Sequence, residues 1–203
     1  MIHLPRLYAI LDASYFSESQ VLFSTAEELL AGGVTLLQYR NKSGNARGML
    51  EQARELKHRL GGAKLIMNDR ADLCLAAGYD GVHVGQEDLS PEGARKVVGT
   101  TIWLGVSTHN PGQIEKADKT LADYIAIGPV FSTSSKANPD PVVGLEGVRQ
   151  ARALTRKPLV AIGGINRANC RSVIEAGADS VAVISDLMRE PRKSAEDFCR
   201  ILG

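Results

Sequence analysis

Short runs of β-branched and other apolar residues alternate with stretches of helical periodicity along the whole chain, and this alternation limits the folds open to it. Runs near Leu7–Leu11, Val34–Tyr39, Lys64–Met67, Gly81–Val84, Ile102–Val106, Tyr124–Ile127, Leu159–Ile162 and Ser180–Ile184 read as eight strands. Most are continuously apolar, the pattern of parallel strands covered on both faces. Between them, Cys170, Val173, Ile174 and Gly177 keep one helical face, as do Ala195, Phe198, Cys199 and Leu202. Helix starts are legible at Ser90-Pro91 and at Asn110-Pro111-Gly112-Gln113, where Gln113 holds the capping-box position. Eight βα units most simply close into a compact (β/α)8 TIM barrel; an open doubly wound sheet is the alternative.

A weak internal echo supports the repeated unit. Ala31-Gly32-Gly33-Val34, Ala77-Gly78-Tyr79-Asp80, Leu121-Ala122-Asp123-Tyr124 and Ala176-Gly177-Ala178-Asp179 each close a helix and open a strand. They recur about every two βα units, and glycine supplies the left-handed helix stop. No linker-like composition interrupts the 203 residues, so residues 1–203 are expected to form a single domain. A net charge of +1 gives no surface for nucleic acid. The longest apolar runs, of about five residues, are too short for a membrane span or a signal-peptide core. Three scattered cysteines, Cys74, Cys170 and Cys199, read as reduced thiols of a cytoplasmic protein. A homo-oligomer is compatible with the chain but has no signature in it.

The polar residues that follow each strand carry the chemistry. Gln38, Arg40 and Lys42 follow the second run, Asn68, Asp69 and Arg70 the third, Gln86, Glu87 and Asp88 the fourth, and Ser107 and His109 the fifth. The sixth leads into Gly128-Pro129 and Ser132-Thr133-Ser134-Ser135-Lys136, the seventh into Gly163-Gly164, and the eighth into Ser185-Asp186. In a barrel these ends meet on one rim, where active sites of the fold lie. The strand starts carry mainly Gly, Ala and Lys turns.

Asp69 and Asp88 come from adjacent strand ends, and paired carboxylates suit a hard divalent cation, with Mg²⁺ shared with ligand phosphates the expectation. Read singly, Asp69 would be a helix cap and Asp88 a loop residue. Arg40 and Lys42 are two apart, so an extended strand end turns both to one side, with Gln38 deeper on that side. Arg offers bidentate phosphate bonding and Lys a mobile point charge. The glycine pair Gly163-Gly164 lets backbone approach a ligand, and Ser185 gives it a partner at the next strand end. The 17-residue stretch from Gly128 to Gly144 lacks helical periodicity and reads as a lid carrying Thr133, Ser135 and Lys136. His109 lies at the rim and is placed for proton chemistry, whereas His83, between valines, reads as a core residue. Ser107 and His109 have no nucleophile-elbow context, which argues against a hydrolase triad.

These segments resemble the thiamine phosphate synthase family over essentially the whole chain. The resemblance is carried by Leu36-Leu37-Gln38-Tyr39-Arg40-Asn41-Lys42, Met67-Asn68-Asp69-Arg70, Gly81-Val82-His83-Val84-Gly85-Gln86-Glu87-Asp88, Gly105-Val106-Ser107, Gly128-Pro129-Val130-Phe131 through Lys136, and Ala161-Ile162-Gly163-Gly164-Ile165. It implies a barrel transferase that joins an aminopyrimidine methyl diphosphate to a hydroxyethylthiazole phosphate, both small phosphorylated substrates. It further implies that Gln38, Arg40, Lys42, Asn68, Ser107 and Lys136 contact the pyrimidine diphosphate. Asp69 and Asp88 would then hold Mg²⁺, and Thr133, Ser135, Gly164, Ile184 and Ser185 would surround the thiazole phosphate. Arg40, Lys42, Lys136 and Ser107 are the expected catalytic set. Three positions depart from the family pattern: Asn41 replaces an acidic residue, the Ser132–Lys136 segment lacks a second threonine and a proline, and Leu11 precedes Asp12 where threonine is usual. Two neighbouring readings are a thiazole tautomerase using His109 without metal, and a catalytically silent barrel that binds a phosphorylated ligand.

Overall fold

The computed structural model describes residues 2–133 and 140–203. Parallel strands β1 (Leu7–Asp12), β2 (Leu36–Arg40), β3 (Lys64–Asn68), β4 (Gly81–Val84), β5 (Trp103–Thr108), β6 (Tyr124–Ile127), β7 (Leu159–Ile162) and β8 (Ser180–Val183) alternate with helices. These helices are α1 (Ser19–Ala31), α2 (Ala46–Arg59), α3 (Ala71–Ala77), α4 (Pro91–Val98), α5 (Pro111–Asp118), α6 (Gly144–Leu154), α7 (Cys170–Glu175) and α8 (Pro191–Leu202). The strands pair in chain order, and β8 closes on β1 through Leu7–Val181, Tyr8–Ala182 and Ala9–Val183. The closed (β/α)8 barrel excludes the open doubly wound sheet. No helix among the described residues is long and apolar enough to cross a membrane.

Strand limits shift from the sequence reading for local reasons. Val34 belongs to the stop of α1, where its N–H donates to Leu29 O at 3.1 Å after Gly33 turns left-handed at φ 99°, so β2 begins at Leu36. β5 runs on through Ser107 and Thr108 because their backbones pair with Ala126 and Ile127, whatever the polarity of the side chains. Both expected caps form: Ser90 accepts from Gly93 N at 3.1 Å and Asn110 from Gln113 N at 3.0 Å. Gln113 reaches back one residue further than a capping box requires, accepting from His109 N at 2.7 Å.

Side-chain parity divides the apolar residues into two cores. Leu11, Leu37, Leu65, Val82, Leu104 and Ile125 pack with the helices, together with buried Phe198 of α8. Tyr8, Ile10, Leu36, Ile66, Tyr124, Ala126, Val160 and Ala182 fill the barrel. Because side chains alternate along a strand, the inward parity of Leu36 and Ile66 continues to Gln38 and Asn68. Polar residues therefore enter the barrel at its C-terminal end.

The strand starts hold more than turns. Asp80, Asp123 and Asp179, each just before an even-numbered strand, accept from the N–H of Leu65, Leu104 and Leu159 in the preceding strand at 2.9, 2.8 and 2.8 Å. Each also binds a cation from a helix: Lys57 at 2.9 Å, Arg95 at 2.7 Å and Arg152 at 2.8 Å. Three of the four echoing junctions thus share one clamp, at the end opposite the predicted site. The free thiols of Cys74 and Cys170 are buried in α3 and α7.

Candidate active site

A cavity of about 370 Å³ opens at the C-terminal ends of the strands. Gln38, Arg40, Lys42, Asn68, Asp69, Asp88, Ser107, Thr133, Gly164, Ile184 and Ser185 all line it. Ser135 and Lys136 lie outside the described residues. A larger groove of about 610 Å³ sits at the opposite end among Arg6, Arg152 and Asp179 and contains none of these residues. Asp69, Asp88, Arg40 and Lys42 meet at the C-terminal mouth.

Asp69 adopts φ 61°, and among the described residues it is the non-glycine in the left-handed region, a conformation that aspartate tolerates better than most side chains. Its carboxylate pairs with Lys42. Burial pushes the Asp69 carboxyl above its usual range, Lys42 opposes that shift, and the adjacent Asp88 carboxylate adds to it. Asp88 in turn accepts from Gly85 N at 2.8 Å, which fixes the turn after β4. Two crowded carboxylates on one rim form a hard oxygen donor set that favours a cation. Among the described residues no third His, Cys, Asp or Glu completes the cluster, so ligand oxygens would supply the remaining positions.

Arg40 is held by Asp12, whose carboxylate also accepts from Ser14 N at 3.0 Å and Ser14 Oγ at 2.8 Å. Asp12 is buried, so Arg40 is oriented before any ligand arrives. Asn68 contributes a different signal: its Nδ2 is buried and has no hydrogen-bond partner among the described residues, a cost that a ligand acceptor would remove. Two of the three departures from the family pattern point away from the cavity. Asn41 turns to α2, donating to Tyr39 Oη at 2.9 Å and Gln52 Oε1 at 3.0 Å, and Leu11 is buried in the outer core.

Gly163 and Gly164 have φ values of 101° and 65°. A Cβ on Gly164 would lie 2.5 Å from Ser132 O, and one on Gly163 2.5 Å from Pro129 Cβ. The pair is thus needed to pack the end of β7 under the 129–132 segment as well as to expose backbone. The two ends of the loop leading to α6 are zipped together by Val143 N donating to Pro129 O at 2.9 Å and Gly144 N to Val130 O at 3.1 Å. His109 sits beside this base, with Nδ1 2.6 Å from Gly128 O and Nε2 3.5 Å from Asp140.

Sequence reasoning missed Tyr8, which lines the cavity, and Tyr124 beneath it, and it left His83 as a core residue. His83 is buried, but it shares the inward parity of Gly81 and Gly85, the signal that could have placed it in the cavity wall. Burial depresses its imidazole to about 4, against the nearby Asp88 charge. In an unfolded chain it would titrate near ~6.5. The unfolded state therefore binds the extra proton between these values, and stability present above pH ~6.5 is lost as pH falls toward about 4. The expected loss is about 3 kcal/mol. Urea unfolding of the metal-free protein at several pH values should show this component in the wild type and not in His83→Gln; equal pH slopes would remove it.

Known proteins of this shape bear on the site directly. The Thiamine monophosphate synthase family model matches residues 7–187. A thiamine-phosphate synthase of Koribacter versatilis (strain Ellin345) is 62% identical over 205 aligned positions, covering 99% of this chain and 97% of that protein. One from Chloroflexus aurantiacus is 43% identical, covering 89% of this chain and 83% of that protein. The solved structure of thiamine phosphate pyrophosphorylase from Pyrococcus furiosus superposes with a TM-score of 0.86 at 35% identity, covering 97% of this chain and 95% of that one. With its barrel closed, its carboxylate pair and cations at one mouth and its sequence matched almost end to end, this chain belongs to the thiamine monophosphate synthase family.

Proposed function

We propose that the chain is a transferase of thiamine biosynthesis that couples 4-amino-2-methyl-5-(diphosphooxymethyl)pyrimidine to hydroxyethylthiazole phosphate, releasing diphosphate. The observation that carries this reading is the meeting of Asp69 and Asp88 with Arg40 and Lys42 around one cavity, beside the Asn68 Nδ2 that has no partner among the described residues. Carboxylates with cations suit a metal-bound diphosphate, whereas cations alone would suit a simple phosphate.

Asp69 and Asp88 would hold Mg²⁺, which when bound supplies charge neutralisation for the leaving diphosphate. The rest of the work falls to the chain. Arg40, preset by Asp12, and Lys42, drawn from Asp69 to the phosphate, meet the charge that grows on the departing oxygens. Asn68 donates to the same ligand, and Gln38 and Ser107 hold the pyrimidine ring so that its exocyclic carbon faces the thiazole nitrogen. Departure of diphosphate leaves a pyrimidine-stabilised methylene cation, which that nitrogen captures. Thr133, Ser135, Gly164, Ile184 and Ser185 surround the thiazole phosphate, and Lys136 joins the diphosphate side. No side chain needs to act as a nucleophile. The free thiols fit a reducing cytoplasm.

The test is direct. Purified protein given both substrates should form thiamine phosphate with magnesium and lose that activity with chelator. Binding without turnover would favour a silent barrel, and metal-free isomerisation of the thiazole would favour a tautomerase.

A further inference from the structure

A continuous line of polar groups, buried except at its half-buried end Ser107, crosses the barrel interior beneath the cavity. Gln38 Nε2 donates to Tyr8 Oη at 2.9 Å, Tyr8 Oη lies 3.0 Å from Tyr124 Oη, Tyr124 Oη lies 3.0 Å from His83 Nδ1, and His83 Nε2 lies 2.8 Å from Ser107 Oγ. The line starts on β2 and ends on β5, passing through β1, β6 and β4. Tyr8 and Tyr124 are 1% and 0% exposed, so water is not available to satisfy either phenol.

The proton count gives this line a direction. Each phenol has one proton and a neutral imidazole has one N–H. Tyr8 accepts from Gln38, and among the described residues its own proton finds only Tyr124. Tyr124 then must donate to His83 Nδ1, which leaves the imidazole proton on Nε2, pointing at Ser107 Oγ. Ser107 accepts there and turns its own proton into the cavity, while Gln38 is left with its Oε1. Any reversal at one end, such as a turned Gln38 amide, requires reversal of every link. The imidazole is neutral in this arrangement because Nδ1 must keep its lone pair to accept from Tyr124.

The backbone is shaped around this line. A Cβ at Gly105 of β5 would overlap Tyr124 Cζ and Oη and His83 Nδ1. An inward-facing residue with any side chain would break the line in the middle.

We propose that Tyr8, Tyr124 and His83 are positioning residues forming a one-way hydrogen-bond relay that locks the donor direction of Ser107 to the amide orientation of Gln38. The cavity then presents a fixed acceptor on one wall and a fixed donor on the other. Resting on the function proposed above, this selects a ring with a donor and an acceptor in matching order, such as an amino-substituted pyrimidine, over one lacking the amino group.

The experiment is ¹⁵N–¹H spectroscopy of the imidazoles in the ligand-free protein, with His83 assigned among the four histidines through His83→Gln. The wild type should show a single neutral Nε2–H tautomer at His83. Gln38→Glu, whose ionised carboxylate can only accept from Tyr8 Oη, turns every link of the line, so the Nδ1–H tautomer should appear at His83 although Gln38 does not touch it. Tyr124→Phe, which takes the donor away from Nδ1, should leave a mixture of the two tautomers if Gln38→Glu does not fold. An Nδ1–H tautomer in the wild type, or one unchanged tautomer in the folded variants, would overturn the relay. In the coupling assay Tyr8→Phe should lower kcat about tenfold in a protein that still melts cooperatively, the change expected from one misdirected contact. An unchanged kcat with a raised KM would assign these residues to packing. Because the spectra need no substrate, an inactive wild type with the expected tautomers would sink the proposed function and leave the relay standing.

Discussion

Asp88→Asn should lower turnover by on the order of a hundredfold or more while the barrel stays folded. Asp88 does two things: its Oδ2 accepts from Gly85 N at 2.8 Å, and its charge stands beside Asp69. An asparagine keeps an amide oxygen for Gly85, so the turn after β4 survives. It loses the negative charge, and with it half of the carboxylate pair proposed to hold the metal. The defect should ease as magnesium is raised, because a weakened site is refilled by mass action. Initial rates across a magnesium series, with thermal melting as the folding control, check both parts. Unchanged rates at limiting magnesium would remove Asp88 from the metal site.

The largest stability effect is expected far from the chemistry. Arg95 is 8% exposed and donates to the carbonyls of Gly99, Ile102 and Leu121 at 2.8, 2.7 and 2.8 Å, and to Asp123 at 2.7 Å. Arg95→Met leaves these carbonyls short of a donor and strips the partner from a carboxylate that anchors Leu104 of β5. The expected loss is about 3 to 5 kcal/mol, read as a lower urea midpoint at unchanged slope. Lys57→Met removes the matching cation of another clamp, but Lys57 and Asp80 are 35% and 30% exposed. Solvent screens that pair, and its loss should cost under ~1 kcal/mol. Equal losses in the two variants would show that burial does not govern the clamps.

The strand ends were the legible part of the site. Arg40, Lys42, Asp69 and Asp88 stand out because each follows an apolar run that a charged residue must leave, and closure of the barrel brings them together. Asp12 also follows such a run, yet its task of holding Arg40 was not readable, since the pair is joined only by the side-by-side register of β1 and β2. His83 was harder still. In sequence it is a polar residue between valines; in the barrel it faces inward, and its meaning depends on Tyr124, 41 residues away on a strand that does not pair with its own.

The alternation of strands and helices, the closure expected of eight such units, and the end of the barrel where charge collects can all be read along the chain. Those follow from local rules: apolar period, caps and helix stops act over a few residues. Which polar groups touch is set by the closed barrel alone. Inward side chains from five strands converge across the barrel axis, and whether a phenol meets an imidazole or a carboxylate meets an arginine depends on shear, register and space such as that left by Gly105. These are properties of the closed sheet, which no single segment carries.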